Sequence, residues 1–358
     1  MSREDRVRGA LWSFFAGDAL AAPTHWYYGG RAQVARDYGK IVDYTKPVLE
    51  LPGSIMAKSN TDGAGRGSYN PRKKTIIGDV INHGKKPYWD PARSYHYHCT
   101  LEAGENTLEA QLARVLMRSI ASSGRFDPND FRKSYVDFMT TPGTHDDAYA
   151  STCHRMFFAN LVHRKLRPEE CPDNDRHNVD TMDGLVLPTI AAIAEAYAAP
   201  DESPASRDLA RRAAAETVRV TRNSPALENA AGALSDILFD LVVGKETDPR
   251  KAVQATYRIF PGDVDPMVAC YLSESFPSTL QMAVTYSTDV WTALLANANA
   301  GGENVHRGSV LGAILGAGAG ASKLPRRLVD GLAAKPNLET EIDTLLRALE
   351  RRRGDPKG

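Results

Sequence analysis

Near the end of the chain lies the stretch Gly301-Gly302-Glu303-Asn304-Val305-His306-Arg307-Gly308. It follows a run of helical pattern over residues 285–299 and precedes a second helix, predicted over 309–321, made of small and branched apolar residues. The glycine pair permits a sharp turn with positive φ. The polar residues behind it then lie at a helix N-terminus, where unpaired backbone N–H groups favour anions. The stretch therefore predicts a polar site beside a packed helical core.

Small residues in the second helix support this interpretation, because they allow other backbones to come close: Gly308, Gly312, Ala313, Gly316 and Ala317. The alternative interpretation is an ordinary helix start with a polar first turn, which capping chemistry alone would explain. A second stretch of the same kind, described below, favours the site.

The composition excludes several classes of protein. The 358 residues include 44 Lys and Arg and 44 Asp and Glu, so the neutral balance gives no support for a nucleic-acid or membrane-surface partner. The four cysteines are far apart, which is typical of free thiols. Residues 1–9 lack the apolar region of a signal peptide, and no apolar run approaches ~18–20 residues. We expect a cytoplasmic protein; no sequence feature indicates its oligomeric state.

Helical periodicity and high Ala content, without βαβ alternation, predict an all-α fold in a single domain of residues 1–358. The exception is a long irregular insertion over 29–97, in which Lys40-Ile41-Val42-Asp43-Tyr44 could form one short strand. The charged residues 351–358 are expected to form a flexible tail. Predicted helices after the insertion include 129–139, 148–165, 180–198, 206–222, 225–243, 249–259, 267–272, 278–298 and 338–353.

The second polar stretch is Gly104-Glu105-Asn106-Thr107, which also places a Glu and an Asn at the start of an apolar helix. Two such helix N-termini can converge on one pocket built from carboxylates, amides and N–H groups. Ordinary capping of two separate helices is the alternative.

Several histidines add acid–base capacity. His25 lies in an aromatic segment just after the first helix, where the aromatic residues either pack in the core or form a wall for a planar ligand. His145 and Asp146 precede another helix, and His177 with Asp180 or Asp183 forms a plausible base and orienting pair. A solvated helix cap is the alternative for both. His96 and His98 share a strand-like spacing, but two residues do not make a metal site.

These segments resemble the ADP-ribosylglycohydrolase family, which also contains the jellyfish J1 crystallins and the hydrolase that reactivates dinitrogenase reductase. The resemblance rests on Gly17-Asp18-Ala19-Leu20, Gly104–Thr107, the Gly301-Gly302 turn with Val310–Ala317, residues 220–226 and residues 272–297. It implies a many-helix fold with a central cleft that holds two Mg²⁺ or Mn²⁺ ions. It also implies hydrolysis of the glycosidic bond of an ADP-ribosyl compound.

The chain departs from the family's metal motifs. Where the family has Thr/Ser-Asp-Asp-Thr, this chain has Gly104, Glu105, Asn106 and Thr107; where it has Gly-Gly-Asp-x-Asp-Thr, Glu303, Val305 and His306 occupy the last three conserved positions. His25 replaces a Glu found in some members. Only Glu105 and Glu303 remain as carboxylate ligands, so we expect no bound metal or one ion with altered affinity.

From these residues we predict a hydrolase acting on a ribosyl or nucleotide-like compound, with a small-molecule or ADP-ribosylated substrate. Glu105 or Glu303 would act as base or oxocarbenium stabiliser and His306 or His25 as acid. The predicted ligand-binding residues are Asp18, Asn106, Thr107, Gly301, Gly302, Asn304, Arg307, His145 and Asp146, with Arg307 as a phosphate clamp. The alternatives are a non-catalytic, crystallin-like protein and a hydrolase for another glycosidic substrate.

Overall fold

The computed structural model describes residues 1–59, 61–62, 75–174, 178–260 and 270–354. Within these ranges the chain forms fifteen α-helices and only isolated β-bridges, which confirms the all-α prediction. The helices are α1 Arg3–Ala21, α2 Gly30–Tyr38, α3 Ile76–Asp79, α4 Leu108–Ser123, α5 Pro128–Thr140, α6 Thr152–His163, α7 Val186–Ala198, α8 Pro204–Thr221, α9 Pro225–Val243, α10 Pro249–Thr256, α11 Leu272–Thr285, α12 Val290–Ala300, α13 Val305–Ala319, α14 Arg326–Asp330 and α15 Lys335–Gly354.

Helices α1 and α13 form the centre of the fold, and glycines let them touch backbone to backbone. A Cβ added at Gly312 would lie 2.0 Å from the Ser13 carbonyl oxygen, and one added at Gly316 would lie 2.1 Å from that of Gly9. Such distances are shorter than any real Cβ contact, so only glycine fits. The small residues predicted to admit a close backbone therefore do so, and their partner is α1.

Helix ends follow the local chemistry of the sequence. The hydroxyl of Ser2 accepts the backbone N–H of Asp5 at the start of α1, and Ser224 caps α9 in the same way through the N–H of Leu227. Proline occupies the first turn of α5, α8, α9 and α10, where its missing N–H costs nothing. These signals explain why predicted and observed bounds of α9 coincide.

Several predictions of local structure are wrong. The predicted irregular insertion contains two helices, α2 and α3. Of the helix predicted over 267–272, residues 267–269 lie outside the described residues, and α11 begins only at Leu272. Residues 40–44 form no strand; instead the backbone of Ile41 pairs with the side chain of Asn299. The single helix expected over 278–298 is two helices, because Asp289 caps a new helix N-terminus at α12. In the predicted tail, α15 continues to Gly354, and residues 355–358 lie outside the described residues.

The remaining helices pack around the central pair and bury one continuous apolar core, which includes Phe14, Phe15, Leu311 and Ile314 from α1 and α13. Helices α7, α8 and α9 pack against one another, and α15 packs on α4. This scaffold brings the C-terminus of α1 and the N-termini of α4 and α13 to one side of the molecule. None of the described helices is long and apolar enough to cross a membrane.

Candidate active site

A cavity of about 710 Å³ opens beside the start of α13, and the starts of α6 and α11 also line it. Five aromatic side chains in its lining form what we call the aromatic wall: Trp26, Tyr28, Tyr97, Tyr149 and Tyr271. We call the part of the lining formed by Asp183, Glu303 and His306 the polar end. All three of these residues are buried, so the polar end lies inside the protein rather than on its surface.

The aromatic wall begins with a strained residue. Trp26 has a φ of 61°, an uncommon value for a residue other than glycine. Its backbone N–H donates to the carbonyl of Gly302 (2.8 Å), and its ring stacks on His25 with centroids 4.7 Å apart. Strain of this kind persists only where surrounding contacts enforce it, and it is frequent at functional sites. The turn at Gly302 therefore positions the aromatic wall as well as the polar end.

The loop before α13 has the predicted shape, since Gly301 and Gly302 have φ values of 71° and 65°. Two other residues of this stretch hold the loop in place through hydrogen bonds. Asn304 Nδ2 donates to Thr24 Oγ1 (2.7 Å), and Arg307 donates to Asn297 Oδ1 (2.8 Å) and to the carbonyl of Gly301 (3.0 Å). Arg307 is fully buried and does not line the cavity, so the structure does not place it as a phosphate clamp.

Glu303 is the carboxylate at the centre of the polar end. It is hydrogen-bonded to His306 Nδ1, and its Oε1 lies 3.8 Å from Nε2 of His25. Burial alone would raise the pKa of Glu303, but His306 and His25 outweigh it and lower the pKa to about 2. For His306, burial lowers and Glu303 raises the pKa, with a net rise to about 9. Without a bound cation, Glu303 and His306 are therefore a buried ion pair at neutral pH.

His25 lies next to Glu303 and His306 and is completely buried. Burial lowers its pKa to about 3, although Glu303 opposes that shift. Its Nδ1 is 2.6 Å from Nε2 of His98, and Nδ1 of His98 is 2.8 Å from Oδ1 of Asp147. Asp147 also accepts the backbone N–H of Leu108 (2.8 Å), the first residue of α4. A hydrogen-bonded chain thus runs from the N-terminus of α4 to the polar end.

In the sequence Glu105 has the same local setting as Glu303, but in the structure it does not face the cavity. Its carboxylate accepts the backbone N–H of Glu102 (2.8 Å), and it does not line the cavity. The neighbouring Asn106 and Thr107 instead bind Asp18: Asn106 Nδ2 and the Thr107 N–H donate to Oδ1 (2.8 Å each), and Thr107 Oγ1 donates to Oδ2 (2.6 Å). This cluster joins α1 to α4 and is buried.

Two further predicted residues lie away from the cavity. The ring of His145 stacks on Phe138 with centroids 5.9 Å apart, and the exposed Asp146 lies 3.6 Å from Lys85 Nζ. Of the thirteen predicted site residues, all of which the structure describes, Glu303 and His306 line the cavity. His177 lies outside the described residues.

The polar end contains an ion pair of which the sequence indicated one member, Asp183, as a partner of His177 rather than of Arg222. Asp183 is held by the buried Arg222, with Nη2 to Oδ2 at 2.6 Å and Nη1 to Oδ1 at 3.1 Å, and by the hydroxyl of Thr181. Burial opposes ionisation of Asp183, but Arg222 overcomes it and holds the pKa of Asp183 well below its usual range. Arg222 follows α8 in a stretch that carries part of the family resemblance, but nothing in that stretch indicated a partner 39 positions away. Asp147 and His98 were missed as partners because 49 positions separate them.

The two Mg²⁺ or Mn²⁺ ions implied by the resemblance do not fit these residues. Each such ion takes about six oxygen ligands, mostly carboxylates and waters. Glu105 faces away, Val305 packs against Ala21 and Ala22, and Asp18 is occupied by Asn106 and Thr107. Among the described residues, one carboxylate and two imidazoles have ligand atoms close enough to share an ion: Glu303, His25 and His306. Ligand sets rich in imidazole are preferred by metal ions other than Mg²⁺ and Mn²⁺.

Comparison with known proteins places the chain in a family. The family model described as ADP-ribosylglycohydrolase matches residues 1–356. Among solved structures, a chain described as "ADP-ribosylglycohydrolase-related protein complex" is similar with a TM-score of 0.57 and 18% identity, covering 97% of this chain and 99% of that chain. At that identity the likeness concerns the fold alone. No curated protein matches the sequence. Because the family model spans nearly the whole sequence, the chain belongs to the ADP-ribosylglycohydrolase family.

Proposed function

We propose that this protein hydrolyses the bond between a ribosyl C1 atom and a nitrogen or oxygen atom, in an ADP-ribosyl or related nucleotide compound. The observation that carries the proposal is the cavity itself, whose lining combines the aromatic wall with a buried carboxylate–histidine pair. Membership of the ADP-ribosylglycohydrolase family supports it. The substrate would be a small molecule or an ADP-ribosylated side chain, and the expected cytoplasmic location stays a prediction.

The aromatic wall suits the planar end of such a substrate. Trp26 stacks against Tyr28 with ring centroids 5.9 Å apart and planes 25° apart, and Tyr97 lies beside Trp26. A base stacked on an aromatic side chain gains about 1–3 kcal/mol without any sequence-specific hydrogen bond. The cavity volume of about 710 Å³ lies within the ~300–1,000 Å³ range of pockets for small molecules.

The polar end suits the reacting end of the substrate, and Glu303 is its available carboxylate. Asp183 is already bound by two nitrogens of Arg222 and by Thr181. Glu303, in contrast, has an Oε2 atom with no hydrogen-bond partner among the described residues. An unpaired buried oxygen is costly, and a bound molecule would remove that cost. In this proposal Glu303 and His306 orient and polarise a water molecule.

In the proposed reaction that water attacks C1 of the ribose. The C1–N or C1–O bond breaks, the water's proton is transferred to the leaving nitrogen or oxygen, and a ribosyl hydroxyl forms at C1. No redox partner is needed. The transition state of such reactions has positive charge on the sugar ring, which a preorganised polar site can stabilise.

The direct test is an assay of the purified full chain on ADP-ribosylated Arg, ADP-ribosylated Ser and small ADP-ribosides. Each reaction is run after chelation and again with Mg²⁺, Mn²⁺ or Zn²⁺. Release of free ADP-ribose or a related sugar from one of these substrates is the expected result. No turnover on any substrate under any metal condition would refute the proposal.

A non-catalytic, binding protein is the alternative outcome. A thermal-shift panel of nucleotides and ribosides distinguishes it, since a ligand at 100 times its Kd adds about 2.7 kcal/mol of stability. Stabilisation by ADP-ribose without turnover would identify a binding protein. The absence of both would favour a structural role like that of the crystallin relatives.

A further inference from the structure

We infer that His25, Glu303 and His306 form a site for a single divalent transition-metal ion of the Zn²⁺ class. The inference rests on the proposed function only in using the same polar end, and its test is independent of turnover. The three residues come from two segments of the chain, the turn after α1 and the start of α13. Each offers one ligand atom, and these atoms all lie within 4.8 Å of one another.

The first argument is the direction of the protons along the hydrogen-bonded chain. The carboxylate of Asp147 can only accept, so Nδ1 of His98 carries the proton of their 2.8 Å bond. In neutral His98, Nε2 is then an acceptor, so Nδ1 of His25 carries the proton of the 2.6 Å contact between them. The two rings are only 8° from parallel, as an in-plane bond between them requires. In neutral His25, Nε2 therefore carries no proton and presents its lone pair.

The second argument is what this lone pair faces. Nε2 of His25 is 3.8 Å from Oε1 of Glu303, too far for a hydrogen bond. Nε2 of His25 and Oε2 of Glu303 both lack a hydrogen-bond partner within the described ranges, and both residues are at least 99% buried. A buried imidazole lone pair and a carboxylate this close repel each other unless a cation lies between them. A metal ion held by Nε2 of His25 and the carboxylate of Glu303 would remove that repulsion.

The third argument concerns the identity of the ion. Two imidazoles and one carboxylate are ligands that Zn²⁺ takes in proteins, with bonds of about 2.0–2.2 Å. Tetrahedral geometry then puts the ligand atoms about 3.4 Å apart, so they need to approach by at most about 1.4 Å. Ligating histidines have their other ring nitrogen held by a partner, as His98 and Asp147 hold His25. His98 is thus a positioning residue for the site.

The fourth argument is access. Glu303 and His306 line the cavity, so a fourth coordination position would face the space that we assign to the substrate. A metal ion could enter from the same side. A closed structural site would lack this opening.

The test uses the full chain, freed of metal with a chelator and checked for folding by circular dichroism. Zn²⁺ is titrated in competition with a chromophoric chelator, and Co²⁺ binding is followed by its visible spectrum. We expect one ion per chain, a four- or five-coordinate Co²⁺ spectrum, and no displacement by millimolar Mg²⁺. Absence of binding, or displacement of Zn²⁺ by Mg²⁺, would overturn the inference.

Variants locate the ion. His25→Ala and Glu303→Ala should abolish stoichiometric binding, and His98→Gln should weaken it about 10- to 100-fold. His83→Gln is the matched control: its ring bonds the Thr140 carbonyl (3.0 Å) and belongs to no group of potential metal ligands among the described residues, so it should bind like the wild type. If His25→Ala fails to fold, the Zn²⁺ affinity of His98→Gln still tests the metal site. Unchanged affinity in His98→Gln and in the folded ligand variants would place the ion elsewhere.

The outcomes for metal and for function are separable. Turnover that persists in chelator, with no Zn²⁺ or Co²⁺ bound, would overturn the metal site and leave the proposed hydrolase intact. A bound ion without turnover on any ADP-ribosyl substrate would support the metal site and refute the proposed hydrolase.

Discussion

At the scale of single residues, two glutamates with the same local sequence have different surroundings. Glu105 and Glu303 each follow a glycine and precede an asparagine near a helix start. Glu105 is half-buried and bonds its own turn, whereas Glu303 is 1% exposed and lies between two histidines. Replacing each glutamate with glutamine therefore gives a matched pair of variants.

Glu303→Gln should reduce turnover on the substrate found by the assay by about 10²–10⁴-fold, the usual contribution of a positioned acid–base group. Glu105→Gln should keep turnover within about threefold of the wild type, because its carboxylate does not reach the cavity. Steady-state kinetics on both variants measures this. Equal losses in the two would contradict the assignment.

Asp18 carries a structural prediction at the same scale. Its carboxylate accepts three hydrogen bonds from Asn106 and Thr107. Asp18→Asn puts a donor where a donor already points, so we expect a loss of about 2 kcal/mol or more in the free energy of unfolding. Urea denaturation measures it. The control is Asp127→Asn at the exposed N-cap of α5, where Asn caps as well as Asp and the change should be below about 0.5 kcal/mol.

At the scale of elements, the contact between α1 and α13 determines where the site forms. The stripe of glycines on α13 brings its N-terminus beside the C-terminus of α1, so Glu303 and His306 meet His25. Side chains larger than hydrogen along this stripe would push the helices apart. The packing of one helix pair thus sets distances within the candidate site.

Gly312→Ala should destabilise the protein by about 1–3 kcal/mol or more, because the new Cβ would lie 2.0 Å from the Ser13 carbonyl oxygen. Gly232→Ala is the control within α9. Beyond its own helix, no described residue has an atom within 4 Å of the added Cβ, so this change should stabilise by about 0.5–1 kcal/mol through helix propensity. Chemical denaturation of both variants gives the comparison. A neutral Gly312→Ala would show that α1 and α13 can separate freely.

At the scale of the whole molecule, a buried ion pair joins three helices beside the cavity, whose lining residue Ser151 donates to Oε1 of Glu109 (3.0 Å). Nε2 of His154 on α6 is 2.8 Å from Oε1 of Glu109 on α4, and Nδ1 of His154 is 2.7 Å from the hydroxyl of Tyr135 on α5. Burial alone would lower the pKa of His154, but Cys153 and Glu109 raise it well above its usual 6.5. Burial would raise the pKa of Glu109, but His154 lowers it below its usual 4.5.

These shifts set the sign of a pH dependence. Stability from the lowered pKa of Glu109 is present above pH 4.5 and is lost as pH falls through the folded value. Stability from the raised pKa of His154 is complete below pH 6.5 and is lost as pH rises through the folded value. The free energy of unfolding lost in Glu109→Gln, about 3 kcal/mol, should therefore be largest near pH 5.5 and smaller towards both extremes. Urea denaturation across pH measures it; a loss independent of pH would contradict the pairing.

The sequence by itself determined the helical class and many helix bounds of this protein, because periodicity, caps and first-turn prolines act within a few residues. It also located the turn at Gly301 and Gly302, since positive φ is a property of glycine. The resemblance to its family added the position of the cleft, although the family's carboxylates are replaced.

Only the tertiary structure decided which polar side chains meet. Glu303 lies 3.8 Å from a histidine 278 positions earlier, and Arg222 binds Asp183 across 39 positions. The chain from Asp147 through His98 to His25 spans three loops. At a helix start, the direction of a side chain depends on the remote segments packed against it. Spacing along the sequence contains no such information, so Glu105 and Glu303 looked alike until the helices were packed.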